Sequence, residues 1–167
     1  MPAFTMEVQN ESDWCWAAVA VSVHQFLNST SPPVSQAELA TEVMQQQGMA
    51  GIDCSQTPDV CNLPEGLDVA LSIVRNLASR GVLQNTFLTF DSIKQWVDQG
   101  FPVCARITWF SGGAHFIALD GYRIFSSGAQ QVHVQDPLYG PSFQLYDDLV
   151  FDYPPGGNWQ DTYLVKK

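Results

Sequence analysis

Gln9-Asn10-Glu11-Ser12-Asp13-Trp14-Cys15-Trp16-Ala17-Ala18 is the stretch whose reading decides the fold. A polar segment gives way at Cys15 to an apolar run, with Trp16, Val19, Ala20, Val23, Phe26 and Leu27 at helical spacing as far as about Asn28. Ser12 or Asp13 is placed to cap this helix, and Ser29-Thr30-Ser31-Pro32-Pro33 ends it. Cys15 therefore opens the first helical turn, where unpaired N–H groups and the macrodipole favour negative charge. That setting favours thiolate over thiol, as nucleophilic catalysis requires. A lone helical cysteine is more often a core residue, so the chemistry needs a base from elsewhere in the chain.

Ser111-Gly112-Gly113-Ala114-His115 supplies one, followed by Phe116-Ile117-Ala118-Leu119-Asp120-Gly121-Tyr122. The glycines let backbone approach closely, and His115 becomes the second residue of a strand, well placed as a general base. Beyond it, Ile117 and Leu119 share its face, while Phe116, Ala118 and Asp120 take the other. His24 lies about two and a half helical turns past Cys15, too far along the helix to meet it. His133, between Val132 and Val134, reads as an exposed strand residue. A third group follows in Gln135-Asp136-Pro137: a carboxylate at a strand end can accept the second imidazole N–H and hold its tautomer. Asp-Pro is also a common turn opener, and Asp120 reads as a hairpin-turn residue. The chain runs from His115 to about Phe125, turns through Ser126–Ala129 and returns along Gln131–Gln135. Such a hairpin brings Asp136 back beside His115.

Elsewhere, residues 4–8 read as a short strand or an extended arm. Ser35 and Glu38 have capping-box spacing and open a second helix that stops by Gly48. Residues 48–64 form an irregular loop. Pro64 suits the first turn of a third helix, with Leu67, Ala70, Leu71, Val74 and Leu77 on one face and Gly81 closing it. Asn85–Phe90 reads as a short strand, and Asp91 caps a helix that Gly100 ends. Strands are expected at Val103–Trp109, Ala114–Phe125, Gln131–Gln135 and near Trp159–Val165. Helices first and sheet second predict an α+β fold over residues 1–167 as a single domain, with a helical lobe at about 10–99 and a β lobe at about 100–167.

Composition narrows function. The chain has 167 residues, 46% of them hydrophobic, and 17 acids against 7 bases give a net charge of -10. So acidic a surface repels phosphate backbones and anionic lipid, so neither nucleic acid nor membrane is an expected partner. No run approaches the ~18 apolar residues of a membrane span. Met1-Pro2-Ala3-Phe4 lacks a secretory-signal layout, so synthesis in the cytoplasm or a trimmed mature form is expected, with export left open. Cys54 and Cys61 sit in the irregular loop without a His or a third Cys, which disfavours zinc. A disulfide or two free thiols both remain open there, and Cys104 reads as a core strand residue. No cofactor and no metal are expected, and the chain is expected to be a monomer.

These motifs resemble those of the papain-like cysteine peptidases. In that superfamily a Gln six residues before the nucleophile serves the oxyanion hole, a Trp follows the Cys, the base His opens a later strand, and an Asn or Asp follows on the next. Cys15-Trp16-Ala17-Ala18, Ala114-His115-Phe116 and Asp136-Pro137 look most like two compact bacterial branches: double-glycine leader peptidases and secreted avirulence-effector proteases of plant pathogens. The resemblance covers roughly Phe4 to Trp159. It implies a two-lobed fold with Cys15 as nucleophile, His115 as base, Asp136 as its orienting partner and Gln9 as oxyanion donor, and a protein or peptide substrate in the inter-lobe cleft. Effector-like relatives with a similar paired-cysteine loop favour a Cys54–Cys61 disulfide.

Departures are visible. Papain's Cys-Gly-Ser-Cys-Trp keeps only its final pair here. His115 follows Cys15 by 100 residues, fewer than the ~130–150 of papain and the cathepsins. Asn158-Trp159 superficially resembles papain's Asn-Ser-Trp, but Asn158 lies 43 residues past His115 against 21 for Asp136. Trp159 is left as core or as a shield over the site. The absence of a transporter segment counts against a leader-peptidase role. The same residues can also run deamidation, isopeptide cleavage or transpeptidation. An inactive binding module is disfavoured, because all four catalytic residue types are present.

Overall fold

The computed structural model describes residues 3–167; Met1 and Pro2, part of the N-terminus without a signal layout, lie outside the described residues. Helix α1 (Cys15–Leu27) is buried continuously from Cys15 through Val23, as a helix apolar around its circumference must be. Its N-cap is Trp14, with no side-chain cap. The expected caps are engaged elsewhere: Asn62 accepts from Asp13 N–H through Oδ1 and donates from Nδ2 to Ser12 Oγ. Helix α2 (Gln36–Gln46) opens on the capping box that Ser35 and Glu38 predict. A four-residue helix, α3 (Pro58–Cys61), follows within the irregular loop. Cys54 and Cys61 are joined by a disulfide, with Cα atoms 5.6 Å apart.

The third expected helix is shorter than its apolar pattern. Helix α4 (Leu67–Ile73) starts after Pro64 and stops well before Gly81. Arg75 takes a left-handed conformation with φ 62°, and buried Asn76 is tied to both α1 and the chain end. Asn76 Oδ1 pairs with His24 Nδ1, and Asn76 Nδ2 donates to Lys166 O. These long-range bonds override the helical continuation, and the chain enters strand β1 (Leu77–Leu83) instead. Gly81 serves close approach: a Cβ there would lie 2.5 Å from Leu164 O.

Asn85–Phe90 is no strand. Asn85 has φ 50° and donates its N–H to Asp161, while Thr89, rather than Asp91, caps α5 (Phe90–Asp98) by accepting from Ser92 N–H. The chain then forms β2 (Val103–Trp109), β3 (Ala114–Ile124), β4 (Gln130–Gln135), β5 (Ser142–Leu145), α6 (Tyr146–Phe151) and β6 (Gly157–Val165). The short β5 and α6 carry too few residues for a periodic signal.

The six strands make one antiparallel sheet in the order β1-β6-β2-β3-β4-β5. The alternation read for β3 decides what each face packs against. Phe116 and Ala118 join α1, α2 and α4 in one core, with Cys104, Tyr163 and Val165. Ile117 and Leu119 join the other core, with Phe90 and Ile93 of α5 and Leu149 and Val150 of α6. The expected lobe boundary near residue 99 is therefore corrected, since β1 pairs with β6 and α5 packs on the far face of the sheet. No helix among the described residues is long and apolar enough to cross a membrane.

Candidate active site

Three segments converge at one end of the central strands: the start of α1, the start of β3 and the turn that follows β4. The N-terminal stretch makes this possible as an extended arm, not a strand. Glu7 N–H donates to Ser22 Oγ at 2.9 Å, and Asn10 N–H to the buried Gln36 Oε1 at 3.0 Å. Gln36 Nε2 returns to Val8 O at 2.9 Å, and Gln9 N–H reaches Pro137 O at 3.0 Å. On the opposite side the disulfide loop braces the helix start. Trp14 Nε1 donates to Cys61 O at 2.8 Å and Trp16 Nε1 to Leu63 O at 3.0 Å.

Cys15 is the first residue of α1, so its N–H has no intrahelical acceptor. His115 is the second residue of β3 and is 4% exposed. Its Nε2 meets Asp136 Oδ1 at 2.8 Å, which leaves Nδ1 as the ring nitrogen available to Cys15, near enough to favour the protonated ring. Burial opposes a charged imidazole here. The bonds and charges of Asp136 and Cys15 outweigh it and raise His115 to about 9. A cleft of about 770 Å³ opens over Cys15 and His115, lined also by Trp16, Gly66, Trp109 and Leu138.

Asp136 is held on all sides. Its Oδ1 also accepts Leu138 N–H at 2.8 Å and Tyr139 N–H at 2.9 Å, an Asx turn made possible by the Asp136-Pro137 opener. Its Oδ2 accepts Tyr153 Oη–H at 2.8 Å. Burial pushes this carboxyl up, but His115 and the two N–H groups more than offset it and hold it below the usual range. Burial, then the Asp136 charge, drives the Tyr153 hydroxyl far up, so it stays a donor.

Two aromatic residues complete the site. Trp109 stacks on His115 at 5.6 Å between ring centroids, and Tyr153 stacks on Trp109 at 6.2 Å. Neither stood out in the sequence. Trp109 ends a strand beside Gly112-Gly113, the one available hint, whereas Tyr153 carries no local signal. Trp159, read from the sequence as core or as a shield, is core and donates its Nε1–H to Asp161 O.

Other candidates lie apart. Asn158 stands opposite Thr108 on β2. His24 pairs with Asn76. Asp120 lies within β3 and not at a turn; its Oδ1 meets His133 Nδ1 at 2.6 Å, so His133 is paired rather than merely exposed. Cys104 is fully buried, and burial alone pushes its thiol up to about 12. Gln9 differs from expectation. Its Nε2 donates to Glu11 O at 2.9 Å and Ser12 O at 2.7 Å, so both amide protons are engaged inside the loop, and its Oε1 is buried without a partner among the described residues.

Comparisons with known proteins fit this geometry. The bromelain protease from Ananas comosus, solved in complex with the E64 inhibitor, matches over 99% of this chain and 94% of its own. The TM-score is 0.56 and the identity 13%, a likeness of fold. Among curated proteins no sequence matches. The model of the Peptidase_C39 like family matches residues 2–153, so this α+β chain belongs to the Peptidase_C39 like family and is a papain-like cysteine peptidase.

Proposed function

We propose that the chain hydrolyses peptide bonds through a Cys15–His115–Asp136 triad and a thioester. The observation that carries this reading is His115, bonded to Asp136 through Nε2 and lining one cleft with Cys15, which favours its protonated ring. Cys15 Sγ attacks the carbonyl carbon of an extended peptide, and the carbonyl electrons move onto oxygen. The C–N bond then breaks as the imidazolium of His115 gives its proton to the departing amine. A water, deprotonated by His115, attacks the thioester; the C–S bond breaks and the free acid leaves. Asp136 keeps the imidazole in register and stabilises its charge.

The Cys15 N–H is one donor to the oxyanion, and such a donor is worth about 2.7–4 kcal/mol in other enzymes. Gln9 supplies a second by sharing one of its two Nε2–H bonds with the oxyanion. An amine in place of water turns the same thioester to transpeptidation, and a side-chain amide as substrate gives deamidation. Mass spectrometry of a peptide mixture incubated with the purified protein separates these outcomes. Hydrolysis gives fragment pairs whose masses sum to the parent plus water, and Cys15→Ala protein gives none. Intact peptides carrying only a deamidation shift replace the hydrolytic reading, and fragments from the Cys15→Ala protein overturn the assigned nucleophile.

A further inference from the structure

The cleft has a charged floor that the proposed triad does not use. On the sheet face toward α1, Arg106 of β2 stands directly opposite Asp161 of β6 on one side and Phe116 of β3 on the other. All three line the cleft with Cys15, and Tyr163 packs edge-on against Phe116 at 5.7 Å. The Asp161 side chain is 10% exposed and that of Arg106 is 32% exposed.

Hydrogen bonds in this pair are spent unevenly. Asp161 Oδ2 accepts Arg106 Nε at 2.6 Å, and Oδ1 accepts Asn85 N–H at 2.8 Å, so both carboxylate oxygens are engaged. The guanidinium carries further donors on its two Nη atoms. Among the described residues those Nη atoms make no hydrogen bond, while the Nε end anchors the group. The unspent valence of the floor is therefore a donor fork, whose geometry matches a carboxylate or carboxamide.

Asp13 and Glu65 also line the cleft and draw cationic chains toward it. A lysine or arginine side chain that reached the floor would meet the guanidinium. The bland alternative, an Arg106 that only neutralises Asp161, predicts no preference at all.

We propose that Arg106 forms the floor of a specificity subsite, which takes a substrate side chain ending in a carboxamide or carboxylate and holds its aliphatic stem against Phe116 and Tyr163. The inference rests on the peptidase reading for its substrate. Glutamine is favoured over glutamate, because Asp13 and Glu65 share the cleft.

Binding tests it independently of turnover. Fluorescein-labelled Ala/Gly octapeptides, with Gln, Glu, Leu or Lys placed at one position at a time, are titrated by anisotropy against Cys15→Ala protein. At one position the Gln peptide binds about tenfold tighter than the Leu and Lys peptides, the scale of hydrogen bonds to a charged donor. Adding Arg106→Met with Asp161→Asn, which leaves no unpaired charge, abolishes that ratio; Arg106→Lys, which keeps Asp161 paired, lowers it several-fold. If the double substitution prevents folding, Arg106→Lys decides. Tightest binding of Leu or Lys peptides, a Gln preference that survives both changes, or no measurable binding of any peptide overturns the subsite. Cleavage of the same peptides by the unmodified protein is read separately. Preference without cleavage sinks the peptidase reading alone, and cleavage without preference sinks the subsite alone.

Discussion

Strands β3 and β4, with the turn that follows β4, carry two histidine–aspartate pairs, and only one of them resembles an active site. His115 Nε2 meets Asp136 Oδ1 at 2.8 Å with side chains 5% and 0% exposed; His133 Nδ1 meets Asp120 Oδ1 at 2.6 Å with side chains 26% and 12% exposed. The shorter contact belongs to the pair without a nucleophile. His133 packs against Phe143 at 4.6 Å, and the Arg123 guanidinium lies 3.9 Å from the centre of that ring. Asp120 has Gln135 as its other partner, at 3.0 Å. A His–Asp contact by itself therefore only satisfies two polar side chains of this sheet. What separates the pairs is the third group, the Cys15 thiol delivered by α1, and the cleft above it.

That contrast breaks first at the histidines. His115→Ala should lower turnover by about 10³-fold or more, as losing one member of a catalytic unit does. His133→Ala should stay within about twofold, the range of a side chain far from the chemistry. The assay is hydrolysis of a fluorogenic peptide by variants of matched far-UV circular dichroism. Equal losses in both variants would end the distinction.

The carboxylates come next. Asp136→Ala should cost about 10²–10⁴-fold, with Asp136→Asn intermediate. Asp120→Asn and Asn158→Ala should be mild, and the reverse ranking would show that Asn158 orients His115. The pH profile sharpens this result. A raised histidine keeps its proton until pH passes its folded value, so kcat/KM should fall as pH rises through about 9. Asp136→Asn removes the anion that helps hold the proton, so its alkaline limb should move to lower pH.

A smaller effect is expected at Gln9, which the second pair has no counterpart for. Loss of an oxyanion donor lowers kcat by about 10²–10³-fold elsewhere, and the shared bonds place Gln9→Ala at about 10²-fold with peptide affinity unchanged. A lower Tm with kcat intact would mean that Gln9 only splints the loop through Glu11 and Ser12.

Legibility in the sequence followed the reach of the interactions. The buried helix from Cys15, the Ser35–Glu38 box and the alternation past His115 are local patterns, and each element appears where its pattern predicts. Asp136 was legible because a hairpin turns strand length into proximity. The end of α4 was not, since Asn76 breaks the helix through bonds to His24 and Lys166 O, partners 52 and 90 residues away. Thr89 caps α5 in place of Asp91, after a segment that Asn85 ties to Asp161 from 76 residues away. The resemblance implies a role for Gln9, but the two carbonyls that its amide engages are a property of the folded loop. Trp109 and Tyr153 reach His115 and Asp136 from the ends of other elements, with no periodicity to announce them.

Tyr153 gives the smallest and most discriminating expectation. Its hydroxyl is the sole donor to Asp136 Oδ2 among the described residues, at 2.8 Å, while its ring stacks on Trp109. Tyr153→Phe removes the donor and keeps the stack. One lost hydrogen bond to a buried carboxylate, on the order of 1–3 kcal/mol, should leave the protein folded with a lower Tm and reduce kcat/KM by about three- to tenfold. The pH profile separates positioning from packing. With one donor fewer, the Asp136 charge bears more fully on His115, so the imidazolium is held more tightly and the alkaline limb moves above about 9. That direction is opposite to the one expected for Asp136→Asn. A lower Tm with an unmoved limb and an unchanged rate would make Tyr153 a packing residue, and the two His–Asp pairs would then differ only in their nucleophile and cleft.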